Sequence, residues 1–329
     1  MAVYTEVSDE ALRAFLAGYD LGELIAFRGI AEGVENSNYA LKTTGGDFIL
    51  TLYERRVDPA ELPWFLGLMR HLAARGLACP QPVAGHDGEA LRALAGRPAA
   101  ICTFLPGVWP RRPAVAHCGP LGGALAALHA AGDGFSAERP NSLGPQAWGP
   151  LLERCRPNGD TVQPGLCAEL DGHLASILQD WPPLSGPGAL PRGHIHADLF
   201  PDNVFFLEGT DRRPRVSGLI DFYFACTDTL AYDVAICLNA WCFEPDLAFN
   251  VTKARALLAG YNAVRPLSTD EMAALPVLCR GAALRFLLTR LYDWANTPPG
   301  AMVTRKDPLE YLRRLRFHAA AKEVSAYGV

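Results

Sequence analysis

The chain has 329 residues, half of them hydrophobic and one-fifth charged, enough for a sizeable core in one two-lobed unit or two modest domains. A formal net charge of −5, with dispersed arginines and only four lysines (Lys42, Lys253, Lys306 and Lys322), argues against a general nucleic-acid binder. Nine cysteines without a C-x-x-C pair disfavour structural zinc and predict reduced, buried thiols in a cytoplasmic protein. The first residues lack a basic start and apolar run, and no uninterrupted apolar window reaches spanning length, so no membrane association is expected.

Ser8, followed by Asp9 and Glu10, predicts a capped first helix. The period then changes. Leu24 to Ile30, Asn38 to Lys42 and Phe48 to Tyr53 read as short strands, the last two joined by a Gly-containing hairpin turn. Asp58-Pro59-Ala60-Glu61 is a helix start, and Gly76 supplies the left-handed stop. A short strand near Val83 and a buried one from Ala99 to Leu105 follow, broken by Pro106-Gly107. This order is that of a small antiparallel-sheet lobe with one main helix, ending in a hinge. We therefore expect an α+β, two-lobed protein-kinase-like fold, with 1–105 as the N-terminal lobe and 106–329 as a mainly helical C-terminal lobe.

In the second lobe, Val115 to Ala131 reads as one helix, and two more flank the Pro/Gly-rich piece Arg156 to Gly165. A second loop runs from Pro182 to Gly193. Val204 to Leu207 and Val216 to Ile220 predict a hairpin around the Thr210 to Pro214 turn. Helices resume at Leu230, and Ser268-Thr269-Asp270-Glu271 and Asp307-Pro308-Leu309-Glu310 read as capping boxes.

The chemistry concentrates in Gly193-His194-Ile195-His196-Ala197-Asp198-Leu199-Phe200-Pro201-Asp202-Asn203. It contains H-x-D-x-x-x-x-N, the spacing of a phosphoryl-transfer loop in which the Asp takes a hydroxyl proton and the Asn holds Mg²⁺. One hairpin later, Gly218-Leu219-Ile220-Asp221-Phe222 offers a second metal carboxylate, with Tyr223 where glycine usually follows Asp-Phe. Asp198 is thus the candidate base, Asn203 and Asp221 the candidate metal ligands, and His196 a brace for the loop. The bland alternative makes Asp198 and Asp221 mere polar strand ends.

These residues resemble the aminoglycoside-phosphotransferase-like superfamily. The match narrows to proteobacterial homoserine kinases over His194 to Phe206, Gly218 to Glu244, Gly281 to Trp294, Gly33 to Tyr39 and Lys306 to Tyr311. The resemblance spans nearly the whole chain and implies ATP- and Mg²⁺-dependent O-phosphorylation of L-homoserine, the step before threonine synthase. Two departures stand out. Gly33 to Tyr39 is not G-x-G-x-x-G, although Gly33, Ser37 and Asn38 can face phosphate. Thr51 occupies the place of the strand lysine, so Lys42 or Arg55 is a candidate to supply charge, Lys42 reading equally as a solvated strand end, and the pairing role of Glu61 is open. Adenine is expected at the backbone of Phe104 and Leu105, within what also reads as a buried strand.

An amino-acid acceptor needs a cation and an acid. Arg285, inside an apolar run, is the carboxylate candidate, and Asp228 the ammonium candidate. Asp293 lies eight residues after Arg285, and Asp233, Asn239 and Trp241 share the family-like stretch. Capping, pairing or packing roles compete for each. Other readings are a sister kinase for choline, another amino alcohol or an aminoglycoside, a non-catalytic nucleotide binder suggested by Thr51, and a metallo-hydrolase suggested by His194-x-His196-x-Asp198. The last lacks a further histidine at Leu199.

Overall fold

In the computed structural model, residues 4–30, 36–54, 58–297 and 305–329 are described. Gly33 and Arg55 lie outside them. The Ser8 side chain accepts the amide of Ala11 and starts α1 (Asp9–Leu16). Strands β1 (Leu24–Gly29), β2 (Ser37–Thr43), β3 (Gly46–Leu52), β4 (Leu91–Leu94) and β5 (Arg97–Thr103) form an antiparallel sheet in the order β1-β2-β3-β5-β4. The strand expected near Val83 is instead β4. Val83 only donates its amide to Ile101, because Pro82 beside it has no N–H to extend the ladder.

Alternation divides the sheet into two faces. Tyr39, Leu41, Phe48, Leu50, Leu52, Ala99 and Ile101 pack with Leu12 and Leu16 of α1 into a small core. The opposite face carries Asn38 and Thr51 as partners, Ala40 opposite Ile49, and Ala100 opposite Thr51. Asp58 caps a short turn (Pro59–Glu61) that leads into α2 (Leu62–Ala74). Gly76, with φ +87°, ends that helix, and the Leu77 amide returns to Leu72.

The larger lobe holds α3 (Val115–Ala131), α4 (Pro145–Val162), α5 (Leu166–Asp180), β6 (Arg192–Ile195), β7 (Val204–Glu208), β8 (Pro214–Leu219) and β9 (Cys226–Thr229), followed by α6 (Leu230–Trp241), α7 (Val251–Asn262), α8 (Thr269–Asn296) and α9 (Leu309–Ala320). Strands β7 and β8 form the expected hairpin, and β6 pairs with β9. The loop expected over Arg156 to Gly165 is mostly helix, since α4 runs through Pro157 to Val162. One proline forfeits one N–H bond, and buried Cys155 and Gly159 on either side hold the helix in place. The box at Ser268 forms with Glu271 reciprocating, whereas at α9 the Asp307 carboxylate accepts only the Leu309 amide and Pro308 is the cap. Helix α8 is long and apolar enough to cross a membrane, yet 72% of its most apolar window is buried inside the protein, so it serves as the central core helix.

Candidate active site

The loop after β6 carries the site. His196 is fully buried; its Nε2–H donates to the Ile220 carbonyl (2.9 Å), which leaves Nδ1 to accept the Asp198 amide (3.3 Å). That pairing selects the neutral Nε2–H tautomer, and burial pushes the imidazole pKa down, favouring the same state. The ring thereby ties the loop to the segment that leads from β8 to Asp221. Asn203 donates from Nδ2 to the Asp198 carbonyl (2.7 Å) and to its Oδ2 (3.3 Å). The side-chain oxygen of Asn203 is then left to turn away from that pair. Burial raises the Asp198 carboxyl pKa, with Arg285 and His196 working against it.

Two non-glycine residues take left-handed conformations here, Ala197 (φ 61°) and Asp221 (φ 65°). Each costs about 1 kcal/mol or more, so surrounding bonds must enforce it. At Ala197 the enforcer is Asp233 on α6. Its carboxylate accepts the His196 amide (2.7 Å), the Ala197 amide (2.9 Å) and a ring nitrogen of His129 (3.2 Å), with no solvent exposure. Arg285 donates to the Ala197 carbonyl from below, completing the frame.

Asp221 is exposed at the cleft, one residue beyond Ile220, whose amide bonds the Asn203 carbonyl. Asn203 and Asp221 therefore flank one backbone link, offering an amide oxygen and a carboxylate. Tyr223, in the place of the usual glycine, reaches the other lobe: its hydroxyl meets that of Tyr53 (3.1 Å) and its ring packs edge-on against Phe65. Since Asp221 itself takes the left-handed turn, no glycine is needed after Phe222.

On the sheet, Thr51 Oγ1 donates to Asn38 Oδ1 (2.8 Å) on the face turned toward the second lobe. Lys42 shares that face but pairs with Asp47 at the far turn, four residues or about 13 Å along the strand from Asn38. It is an exposed strand end, not a neighbour of Thr51. Ser37 points the other way: its Oγ accepts the amides of Tyr4 and Thr5 and donates to Glu54, so it anchors the N-terminal segment. Phe104 commits its amide to Asp47, and Leu105 packs on Gly218, where a Cβ would meet its Cδ1 at 2.6 Å.

Glu61 finds a partner the sequence did not suggest. Arg139 grips both its oxygens (3.0 and 2.8 Å), donates to the Ala225 carbonyl (3.0 Å) and stacks on Phe65. The start of α2 is thus linked to the segment after Asp221 without a strand lysine. Arg139→Met should raise KM for ATP severalfold and cost roughly 1–2 kcal/mol of stability, read by steady-state kinetics and thermal unfolding.

The acceptor-side candidates scatter. Arg285 is only 3% exposed, pressed over the Phe286 ring (4.0 Å) beneath the loop, so it braces main chain rather than presenting a fork to solvent. Asp228, 6% exposed, accepts Asn141 and the Thr229 amide, and burial raises its pKa. Trp241 is fully buried, with its indole N–H on the Leu199 carbonyl (2.8 Å). Asp293 lies on an exposed face of the last turns of α8. His194 sits against the carbonyls of Gly132 and Ala137, and among the described residues no cluster of His, Cys, Asp or Glu suits a zinc ion. The sequence reading missed His129 and Arg139. A lone histidine in Leu128-His129-Ala130-Ala131, between apolar neighbours, was the available signal for the first.

Comparison with known proteins places this geometry. Residues 26–267 match the model of the phosphotransferase enzyme family. The chain is 70% identical to a homoserine kinase of Gluconacetobacter diazotrophicus and 69% identical to one of Acidiphilium cryptum, each over all of both chains. Its fold matches an amicoumacin kinase solved with AMP-PNP and Ca²⁺, at a TM-score of 0.68 and 16% identity, covering 96% of this chain and 95% of that one. The chain belongs to the phosphotransferase enzyme family and, within it, to the homoserine kinases.

Proposed function

We propose that the protein transfers the γ-phosphate of ATP to the side-chain hydroxyl of L-homoserine, giving O-phospho-L-homoserine for threonine biosynthesis. The carrying observation is the pair Asp198 and Asn203, locked together on a loop that Asp233 and His196 hold from beneath. In this reading Asp198 accepts the hydroxyl proton as the acceptor oxygen bonds to the γ-phosphorus, the bond to the β-phosphate oxygen breaks, and ADP leaves. Residues 1–105 form the nucleotide lobe, with Asn38, Thr51 and the hinge at Leu105 around ATP, and 106–329 form the catalytic and acceptor lobe.

Asn203 and Asp221 fit Mg²⁺, because both offer hard oxygen donors and, among the described residues, neither belongs to a sulfur or imidazole cluster. When bound, the ion supplies charge neutralisation between the phosphates. The remaining work belongs to the chain: His196 fixes the loop, Asn203 orients Asp198, and the left-handed turn at Ala197 aims the carboxylate. Nine free, buried cysteines support a cytoplasmic protein, and the acidic net charge supports one without a nucleic-acid partner.

The test is ADP release with Mg·ATP across L-homoserine, L-serine, choline and an aminoglycoside. Selective turnover of homoserine is expected, abolished by EDTA and restored by Mg²⁺. Selective turnover of another acceptor would discard the substrate and keep the chemistry.

A further inference from the structure

The positive group needed for the acceptor's carboxylate is not where the sequence suggested, since Arg285 is buried beneath the loop with its Nη1 on the Ala197 carbonyl and 4.0 Å from the Asp198 carboxylate. Lys306 stands on the open side of it. The segment entering α9 is fastened to α8 by Arg290, whose Nη1 donates to the Asp307 carbonyl (3.0 Å) and to Glu310 (2.8 Å) while its guanidinium covers the Tyr311 ring. This fastening sets the Lys306 ammonium 5.6 Å from the centroid of Phe200. Phe200 in turn closes a tight turn onto Asp198, donating its amide to that carbonyl (2.8 Å). Lys306 is exposed, and among the described residues no carboxylate lies within ion-pair distance of it. Its charge is nonetheless felt at Asp198, where it joins Arg285 and His196 in opposing the effect of burial.

The dimensions suit an amino-acid alcohol. Four bonds separate the hydroxyl oxygen of homoserine from its carboxylate carbon, a span of about 5 Å when extended. A hydroxyl at Asp198 leaves the carboxylate within the sweep of a flexible four-carbon stem that packs on Phe200. Lys306 also reaches the site from the joint between α8 and α9, on the lobe opposite the sheet face that bears Asn38 and Thr51. That side is the acceptor's.

We propose that Lys306 is the carboxylate anchor of the acceptor site, pairing with the α-carboxylate of homoserine while the hydroxyl lies at Asp198. This rests on homoserine being the acceptor. The experiment compares wild type, Lys306→Met and Lys306→Arg on L-homoserine and on 3-aminopropan-1-ol, the same chain without the carboxylate. Lys306→Met should raise KM for homoserine about 10- to 100-fold, the usual worth of a charge-assisted pair, with kcat and KM for ATP within about threefold. On 3-aminopropan-1-ol, by turnover or by its Ki against homoserine, the same variant should change by less than about threefold. Lys306→Arg should recover most of the loss. Equal losses on both acceptors, or an unchanged KM for homoserine, overturn the anchor. A wild type that ignores homoserine and phosphorylates another acceptor overturns the substrate first, and the anchor with it.

Discussion

Asp198→Asn is expected to lower kcat by about 10²–10⁴-fold while the Kd for ATP stays within about threefold. The substitution keeps the shape that Asn203 grips and removes the group that accepts the proton. It should not unfold the protein. Burial raises the carboxyl pKa of Asp198, so the folded state already disfavours its charge, and a neutral amide relieves that penalty. Thermal unfolding at neutral pH should therefore show an equal or higher midpoint than wild type. Stopped-time ADP release and a nucleotide titration read the two quantities separately. Turnover near the wild-type level in this variant would remove Asp198 from the mechanism, whatever the fate of the substrate assignment.

Asp233→Asn should act through the loop rather than at the reacting atoms. The wild-type carboxylate accepts from two backbone amides and from His129, all in a site without solvent. An amide side chain turns one acceptor into a donor facing donors, which costs about 2–5 kcal/mol in a buried network. Without that hold the left-handed turn at Ala197 relaxes, and kcat should fall at least 10-fold even where the variant remains folded. A pH dependence separates this from a simple packing defect. Burial raises the Asp233 pKa, but the His129 and His196 contacts and the backbone amide outweigh it, and the folded value lies below the ordinary carboxylate range. Its contribution is thus in place above the unfolded pKa and lost as pH falls through the folded one. The variant should lose that part of the acid dependence of unfolding free energy. A wild-type stability and an unchanged acid limb in Asp233→Asn would show that the loop does not depend on it.

The motif spacing at His196, Asp198 and Asn203 was legible because the candidate catalytic loop is a local object: its residues meet within one turn of chain, so their separations appear directly in the sequence. The same holds for the helix starts at Ser8, Asp58 and Ser268, where cap and first turn are neighbours, and for the hairpin of β7 and β8. Strand alternation likewise gave four of the five strands of the small sheet in chain order, while the strand at Leu91–Leu94 was missed and the sheet order came from the structure. Residue type alone could not say which face a polar strand residue takes. Ser37 and Asn38 are adjacent and chemically alike, yet one anchors the N-terminal segment and the other meets Thr51 across the sheet.

Long-range partners belonged to the tertiary structure. Glu61 and Arg139 are 78 residues apart, His129 and Asp233 are 104 apart, and neither pair leaves a periodic trace. Burial decided the charged candidates in the same way. Arg285 and Lys306 are both cations in the C-terminal part of the chain, but the fold spends the first on the Ala197 carbonyl and leaves the second in solvent beside Phe200. The sequence by itself determined the fold class, the close meeting of the candidate loop residues and the family, because local spacing and hydrophobic pattern encode them. Which charges stay in water, and which hold the loop, was decided only when packing withdrew some of them from solvent.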